Sequence, residues 1–190
     1  EIVVILGTNH PAPGFERISV QAKGAYRTPL GTVAVDEEVA AALLADDSDC
    51  TADVEPQKRE HSVEVQVPFV QVLFPEARIV PVVIGAPDYT MCTHLGKVLA
   101  KVLRNRNALI VASSDLSHYP EYNTAVSIDH KILDAIALLD PKELDSVIRN
   151  QERAAAGRVD TSACGEAPIM TAAAAARELG ATRGVVVSYA

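Results

Sequence analysis

Three short, continuous apolar segments recur along this chain, and stretches with helical periodicity lie between and after them. The segments are Glu1–Leu6, Arg78–Ile84 and Ala108–Ala112, and all are rich in β-branched residues. Continuous runs of this kind are typical of strands that are buried on both faces of a parallel sheet. The alternation of strand and helix predicts an α/β fold, a three-layer sandwich with a mostly parallel central sheet.

Weaker patterns predict the remaining elements. Pro81, inside the second apolar segment, predicts an irregularity or an edge position. Further strands are expected at Ile18–Ala22, Thr32–Val35 and Gly184–Tyr189, with a turn at Thr28–Gly31. Helices are expected from an Asp36 cap to about Asp46, and at His61–Phe74, Tyr89–Leu103, Ile128–Leu139, Pro141–Asn150 and Ala163–Leu179.

The length of 190 residues suits a single domain, 1–190. Because the chain opens at Glu1 directly in a strand, we expect its natural N-terminal segment to be missing. The net charge of −8 and the aromatic content of 4% argue against nucleic acid and anionic membranes as partners. Three widely spaced cysteines without a CxxC pair exclude a disulfide framework and predict a cytoplasmic location.

Four polar patches carry the groups that are capable of chemistry. They are LGTNH at 6–10, EHSVE at 60–64, SSDLSH at 113–118 and CGEAPI at 164–169. In open α/β sheets, ligands bind beyond the carboxyl ends of the strands. Since the first and third patches directly follow predicted strands, we expect imidazoles, a carboxylate and a thiol to meet at one sheet edge, as a metal site or a nucleophilic site.

Each patch also has an ordinary structural interpretation. His10 could be a hydrogen-bonded loop residue, Asp115 a turn cap, and Cys164 a small buried hydrophobe. Glu60 and Glu64, beside the start of a helix, are expected to be solvated rather than catalytic, although Glu64 could orient the ring of His61.

The other histidines and cysteines are assigned no function. His94 and His130 fall within helical patterns and are predicted to be surface residues. Cys50 and Cys92 are expected to be inert, whether buried or exposed.

Taken together, the patches resemble the Memo family. The matching strings are LGTNH, YRTPLG at 26–31, EHSVEVQVPF at 60–69, PVVIG at 81–85, SSDLSHY at 113–119 and CGEAPI. This resemblance implies a fold similar to class III extradiol dioxygenases, which hold non-haem iron. It also implies a metal pocket formed by His10, His61 and Cys164, with Asp115 and His118 beside it as the catalytic candidates.

The resemblance is strongest to bacterial and archaeal members, which belong to AmmeMemoRadiSam systems and have a radical-SAM partner. Family members are associated with iron or copper and with redox activity. Two departures stand out. The segment with Pro-His-Ala-Gly-Tyr that usually precedes the first strand is absent, and Gly-Thr-Asn-His replaces Gly-Pro-x-His.

Three functions fit these observations. The first is a redox-active metal site that takes iron or copper, or zinc, with Cys164 or Asp115 as the anionic ligand and His118 as the acid/base. The second is a hydrolase with Cys164 as the nucleophile, His61 or His10 as its base and Asp115 as the orienting group. The third is a module that binds a small molecule or peptide without converting it.

Overall fold

The computed structural model describes residues 1–155 and 160–189. Its strands are β1 (Ile2–Thr8), β2 (Ile18–Val20), β3 (Ala25–Thr28), β4 (Gly31–Ala34), β5 (Cys50–Thr51), β6 (Arg78–Ile84) and β7 (Ala108–Ala112). Its helices are α1 (Glu37–Asp46), α2 (His61–Glu64), α3 (Val67–Leu73), α4 (Tyr89–Leu103), α5 (Tyr122–Ala137), α6 (Pro141–Ala155) and α7 (Glu166–Glu178), with a 3₁₀ turn at Glu55–Gln57.

The central sheet has five strands in the order β5-β2-β6-β1-β7. β1 pairs in parallel with β6 and with β7, and β2 pairs in parallel with β5. The pairing of β2 with β6 is antiparallel. The prediction of a mostly parallel sheet is therefore confirmed, and β3 and β4 form a separate antiparallel hairpin.

Successive residues of β1 belong to two different hydrophobic cores. Val4 and Leu6 pack into the larger core, which includes residues of α1, α4, α5, α6 and α7. Val3 and Ile5 pack into the smaller core with residues of α2, α3 and β4. Because neighbouring side chains of a strand point to opposite faces, the sheet is covered on both sides, which confirms the three-layer prediction.

The prediction of a strand at Gly184–Tyr189 is wrong. This segment lies beside α5 instead, with the Gly184 N–H donating to the Ala137 carbonyl at 2.7 Å and the Tyr189 hydroxyl donating to Asp129 at 2.9 Å. A strand needs a ladder partner, and a run of valines in the sequence cannot show whether one is available. Val187 is 94% exposed here.

The predicted helix His61–Phe74 is divided into α2 and α3. Pro68 lacks an N–H, so the carbonyl of Glu64 cannot be bonded in the helical pattern, and the chain turns between the two helices. Pro81 lies inside the sheet in β6 rather than at its edge. The Pro81 carbonyl accepts from the N–H of Gln21, just past the end of β2. The nitrogen and the carbonyl of a strand residue point to the same side, so the N–H that proline lacks would also have pointed beyond the end of β2.

Among the described residues, no helix combines the length and the apolar character needed to cross a bilayer.

Candidate metal centre

The first turn of α2 packs directly against the end of β1. A Cβ at Gly7 would overlap the hydroxyl of Ser62 and would lie 2.7 Å from a methyl of Val63. The Ser62 hydroxyl also accepts from the Thr8 N–H at 3.2 Å. The glycine of LGTNH therefore allows the close approach that brings His10 beside His61.

Glu60 is the buried centre of this first cluster. Its carboxylate accepts from the backbone N–H of His10 at 2.7 Å and from the backbone N–H of Ser62 at 2.8 Å. The Nδ1 atom of His10 lies 2.9 Å from Oε1. The expectation that Glu60 is solvated is wrong, since its side chain is 1% exposed and these protein donors replace water.

The hydrogen bonds of Glu60 also determine its charge. Burial by itself raises the pKa of this carboxyl group, but the bonds from Ser62 and His10 outweigh burial and hold the pKa below its ordinary value. The group is therefore a carboxylate at neutral pH. Its position as N-cap of α2 is the signal in the sequence that could have indicated its role.

The two imidazoles of the first cluster are stacked. The ring centroids of His10 and His61 are 4.6 Å apart, with 30° between the ring planes. The His10 side chain is 37% exposed and the His61 side chain 64%. One ligand atom each from His10, Glu60 and His61 can be chosen so that all three lie within 4.8 Å of one another.

The second cluster forms where the start of α7 meets the end of β7. A Cβ at Gly165 would overlap the carbonyl of Ser113 and would lie 2.5 Å from the Cβ of Ser114. The Gly165 N–H donates to the Ser114 hydroxyl at 2.9 Å. This close approach places Cys164 against the segment that follows β7, where its Sγ accepts from the Asp115 N–H at 3.2 Å.

Asp115, His118 and Cys164 supply the ligand atoms of the second cluster, which also lie within 4.8 Å of one another. A carboxylate oxygen of Asp115 is 3.9 Å from Nε2 of His118, beyond hydrogen-bond distance. The Asp115 side chain is 85% exposed and that of His118 is 32% exposed. These three side chains are thus near one another, but no hydrogen bond joins one of them to another, since Cys164 Sγ accepts from the backbone of Asp115.

One hydrogen bond links the ends of β1 and β7, and a second links the end of β7 to the segment that follows α2. The Ser113 N–H donates to the carbonyl of Leu6 at 2.9 Å. The side-chain amide of Gln66, just after α2, donates to the Ser113 hydroxyl at 3.0 Å. Both clusters therefore lie at the carboxyl edge of the parallel strands, as the sequence predicts.

Comparison with known proteins identifies the family. The profile described as Memo-like protein matches residues 1–190. The chain belongs to the Memo family. It is 35% identical over 192 residues to a MEMO1 family protein of Caldivirga maquilingensis and 33% identical over 193 residues to one of Methanopyrus kandleri. It is 32% identical over 190 residues to one of Nitrosopumilus maritimus.

These alignments cover 100% of the chain but 65% to 66% of each relative. The chain thus spans about two thirds of the length of the curated relatives that it matches. The resemblance inferred from the six strings is confirmed.

In this Memo-family chain, the predicted metal ligands are divided between the clusters. Within residues 1–155 and 160–189, His10 and His61 belong to the first group of mutually close ligand atoms, and Cys164 belongs to the second. The joint assignment of these three residues to one ion stays a prediction, as do the catalytic roles of Asp115 and His118.

Glu64 is exposed, and the carboxylate bonded to an imidazole here is that of Glu60. The orienting role of Glu64 stays a prediction.

The residues that were assigned no function lie outside both clusters. His94 and His130 are exposed on α4 and α5, as predicted. Cys50 and Cys92 are buried, and burial raises the pKa of both thiols to about 12.

Proposed function

We propose that the protein binds a transition metal at the carboxyl edge of β1 and β7 and that the bound ion is redox-active. The observation that carries the proposal is the presence of two groups of mutually close ligand atoms at that edge, one with two imidazoles and one with a thiol. Membership of the Memo family supports it. The metal-holding residues would be His10, His61 and Cys164.

The chemistry of the donors fits such an ion. Imidazole nitrogens with a thiolate suit iron, copper or zinc, and the thiolate shifts the preference toward copper or zinc. Two ligands of one tetrahedral ion at about 2.0–2.3 Å lie about 3.3–3.8 Å apart. The atoms of each cluster, within 4.8 Å of one another, would have to approach by up to about 1.5 Å to share an ion.

Cys164 is well placed to act as a thiolate ligand. Its sulfur accepts from the Asp115 N–H, and the residue is only partly buried. His118, within reach of both Asp115 and Cys164, would hold or transfer a proton at Nε2. Bound iron or copper would supply one-electron chemistry beside these groups.

Metal content and cobalt titration test this proposal. We expect chelator-stripped wild-type protein to take up one equivalent of Co²⁺ and to show a sulfur-to-cobalt charge-transfer band. Cys164→Ser should abolish the band. His94→Gln, which changes an exposed histidine on α4, is the matched control and should behave as wild type.

Three further variants locate the site. If His10→Gln, His61→Gln and Cys164→Ser each reduce uptake, one ion is shared between the clusters. If only Cys164→Ser and His118→Gln do so, the ion lies within the second cluster and the predicted ligand set is wrong. A wild-type protein that takes up no metal overturns the proposed function.

The redox part needs its own measurement. Voltammetry of the iron- and copper-loaded protein should give a reversible wave that is absent from the stripped protein and altered in Cys164→Ser. A bound ion with no accessible change of oxidation state contradicts redox activity. The remaining functions would then be a metal-dependent reaction without a change of oxidation state, or the binding of a small molecule or peptide without conversion.

No observation favours the thiol hydrolase in its predicted form. Within the described residues, the atoms hydrogen-bonded to Cys164 Sγ are the Asp115 N–H and the more distant Ser114 hydroxyl, and neither His10 nor His61 is among them. The functional link to a radical-SAM protein, which rests on the family resemblance, is a separate proposal. Co-purification with such a protein from the source cell would test it.

A further inference from the structure

We infer that Glu60 is a positioning residue, which fixes the ring of His10 so that Nδ1 carries the proton and Nε2 is free to bind a metal. The metal-binding half of this inference rests on the proposed function. The orientation and tautomer of the ring do not depend on it and can be tested in metal-free protein.

The hydrogen bonds around Glu60 determine which atom is the donor in its contact with the His10 ring. Backbone N–H groups of His10 and Ser62 donate to its two carboxylate oxygens at 2.7 and 2.8 Å. Both donors stabilise the ionised form, which has no proton to give. The contact between His10 Nδ1 and Oε1, at 2.9 Å, therefore requires that Nδ1 be the donor.

A neutral imidazole has a single N–H. If Nδ1 carries the hydrogen, the lone pair is on Nε2, and that nitrogen is the only one that can bind a cation. The His10 side chain is 37% exposed, whereas that of Glu60 is 1% exposed. A carboxylate that holds the far nitrogen of a metal-binding histidine is a recurrent device, and its loss weakens metal binding by about 10- to 100-fold.

The same geometry argues against Glu60 as a metal ligand itself. Oε1 accepts from Ser62 and from the His10 ring, and Oε2 accepts from the His10 backbone with a second contact to Nδ1 at 3.2 Å. An ion bound to Oε1 would have to displace one of these donors, and an ion bound to Oε2 would compete with the second contact to Nδ1. The carboxylate is thus already used in holding the loop after β1.

The ring of His61 is held differently. Its Nδ1 is 3.5 Å from Oε1 of Glu60, and no hydrogen bond joins them. Its side chain is 64% exposed and its ring stacks on that of His10. Glu60 therefore selects the tautomer of one histidine of the pair and leaves the other free.

Nitrogen-15 NMR of the histidine rings tests the inference directly. In metal-free wild type at about pH 8, where an ordinary imidazole is neutral, we expect His10 in the Nδ1–H form. Glu60→Gln has only one side-chain oxygen for three donors, so the ring should become a mixture of tautomers. Glu76→Gln, which changes an exposed glutamate between α3 and β6, is the matched control and should keep the wild-type pattern.

The metal readout uses the same proteins. Competition with a chromophoric chelator should show that Glu60→Gln binds Co²⁺ or Zn²⁺ about 10- to 100-fold more weakly than wild type and that Glu76→Gln binds it equally well. Circular dichroism establishes that each variant is folded. If Glu60→Gln does not fold, the tautomer of His10 in the wild type decides the question.

The possible failures are distinguishable. An Nε2–H form of His10 in metal-free wild type overturns the positioning role whatever the metal data show. Unchanged tautomer and unchanged affinity in folded Glu60→Gln also overturn it. A wild type that binds no metal but shows the Nδ1–H form overturns the proposed function and the metal-binding half of the inference, while it supports the orientation of the ring by Glu60.

Discussion

The two clusters at the sheet edge are built in opposite ways. In the first, a carboxylate with a 1% exposed side chain joins the backbone of the loop after β1 and of the first turn of α2 to an imidazole. In the second, the Asp115 carboxylate is 85% exposed and lies 3.9 Å from the nearest nitrogen of His118. The first is held by hydrogen bonds to a buried carboxylate, whereas the second is held by the close approach of α7 to the segment after β7 and by backbone N–H groups that donate to Ser114 and Cys164.

This contrast separates two tasks that a metal site requires. A ligand that must keep one orientation needs a buried partner with fixed hydrogen bonds, as His10 has in Glu60. A group that reacts needs access to its substrate, and Cys164 and His118 are partly exposed. This contrast can be tested with variants that remove the buried hydrogen bonds of the first cluster or the close packing of the second.

Alkylation should give the largest contrast, because it depends on exposure and thiolate content. In folded, metal-free protein we expect iodoacetamide to modify Cys164 at least about 100-fold faster than Cys50 or Cys92, whose pKa of about 12 keeps them protonated. Mass spectrometry of digested samples measures the rates. Glu60→Gln should leave the Cys164 rate unchanged, and equal rates for all three thiols would contradict the exposure of the second cluster.

Adding a methyl group at either glycine contact should disturb one cluster at a time. Gly165→Ala meets the backbone carbonyl of Ser113 and should lower the free energy of unfolding by about 3 kcal/mol. Gly7→Ala meets the hydroxyl of Ser62, which can rotate, and a methyl of Val63, so we expect about 1–2 kcal/mol.

Urea denaturation of the metal-free proteins measures both losses. Ser62→Ala combined with Gly7→Ala should recover part of the loss, because the hydroxyl is the nearest obstacle. A Gly165→Ala variant as stable as wild type would show that the approach of α7 to β7 is not as tight as described.

Removing the carboxylate should lower the stability of the protein much more in the buried cluster than in the exposed one. Glu60→Ala leaves the N–H groups of His10 and Ser62 without acceptors and should cost about 2 kcal/mol. Asp115→Ala removes a largely exposed side chain and should change stability by less than about 0.5 kcal/mol. Denaturation midpoints at neutral pH in chelator provide the comparison, and equal losses would show that both carboxylates are structural.

The dependence of stability on pH should be the smallest effect, and its sign should differ between the two regions. The folded-state pKa of Glu60 is lowered, so its stabilising contribution is present above its ordinary pKa of 4.5 and is lost as the pH falls through the folded value. Glu166, two residues after Cys164, has a raised pKa because burial outweighs its ion pair with Arg149. Its folded form retains the proton, so stability declines as the pH rises from 4.5 through that raised value.

Urea titrations from roughly pH 3 to 7 on Glu60→Gln and Glu166→Gln test these signs. Relative to wild type, Glu60→Gln should lose less stability on acidification. Glu166→Gln should lose less stability as the pH rises above 4.5. The same slope in both variants would mean that the two carboxyl groups have similar environments.

The elements with strong local patterns could be predicted from the sequence. β6, β7 and α4 have the predicted bounds, because continuous apolar runs and helical periodicity are properties of neighbouring residues. The β3 strand was missed, since Ala25–Thr28 has no such run and pairs only with β4. α5 begins earlier than predicted, at Tyr122, where the apolar pattern is weak.

The sequence by itself determined the three long strands of the sheet, the edge at which the polar patches meet and the family. Only the tertiary structure decided how those patches are divided, and it placed His10 and His61 around a buried Glu60 and Cys164 with Asp115 and His118. Glu60 and His10 are fifty positions apart, and a charged residue before a helix looks solvated until its distant donors are known. Burial and hydrogen bonding depend on contacts between remote segments, whereas strand and helix patterns depend on adjacent residues.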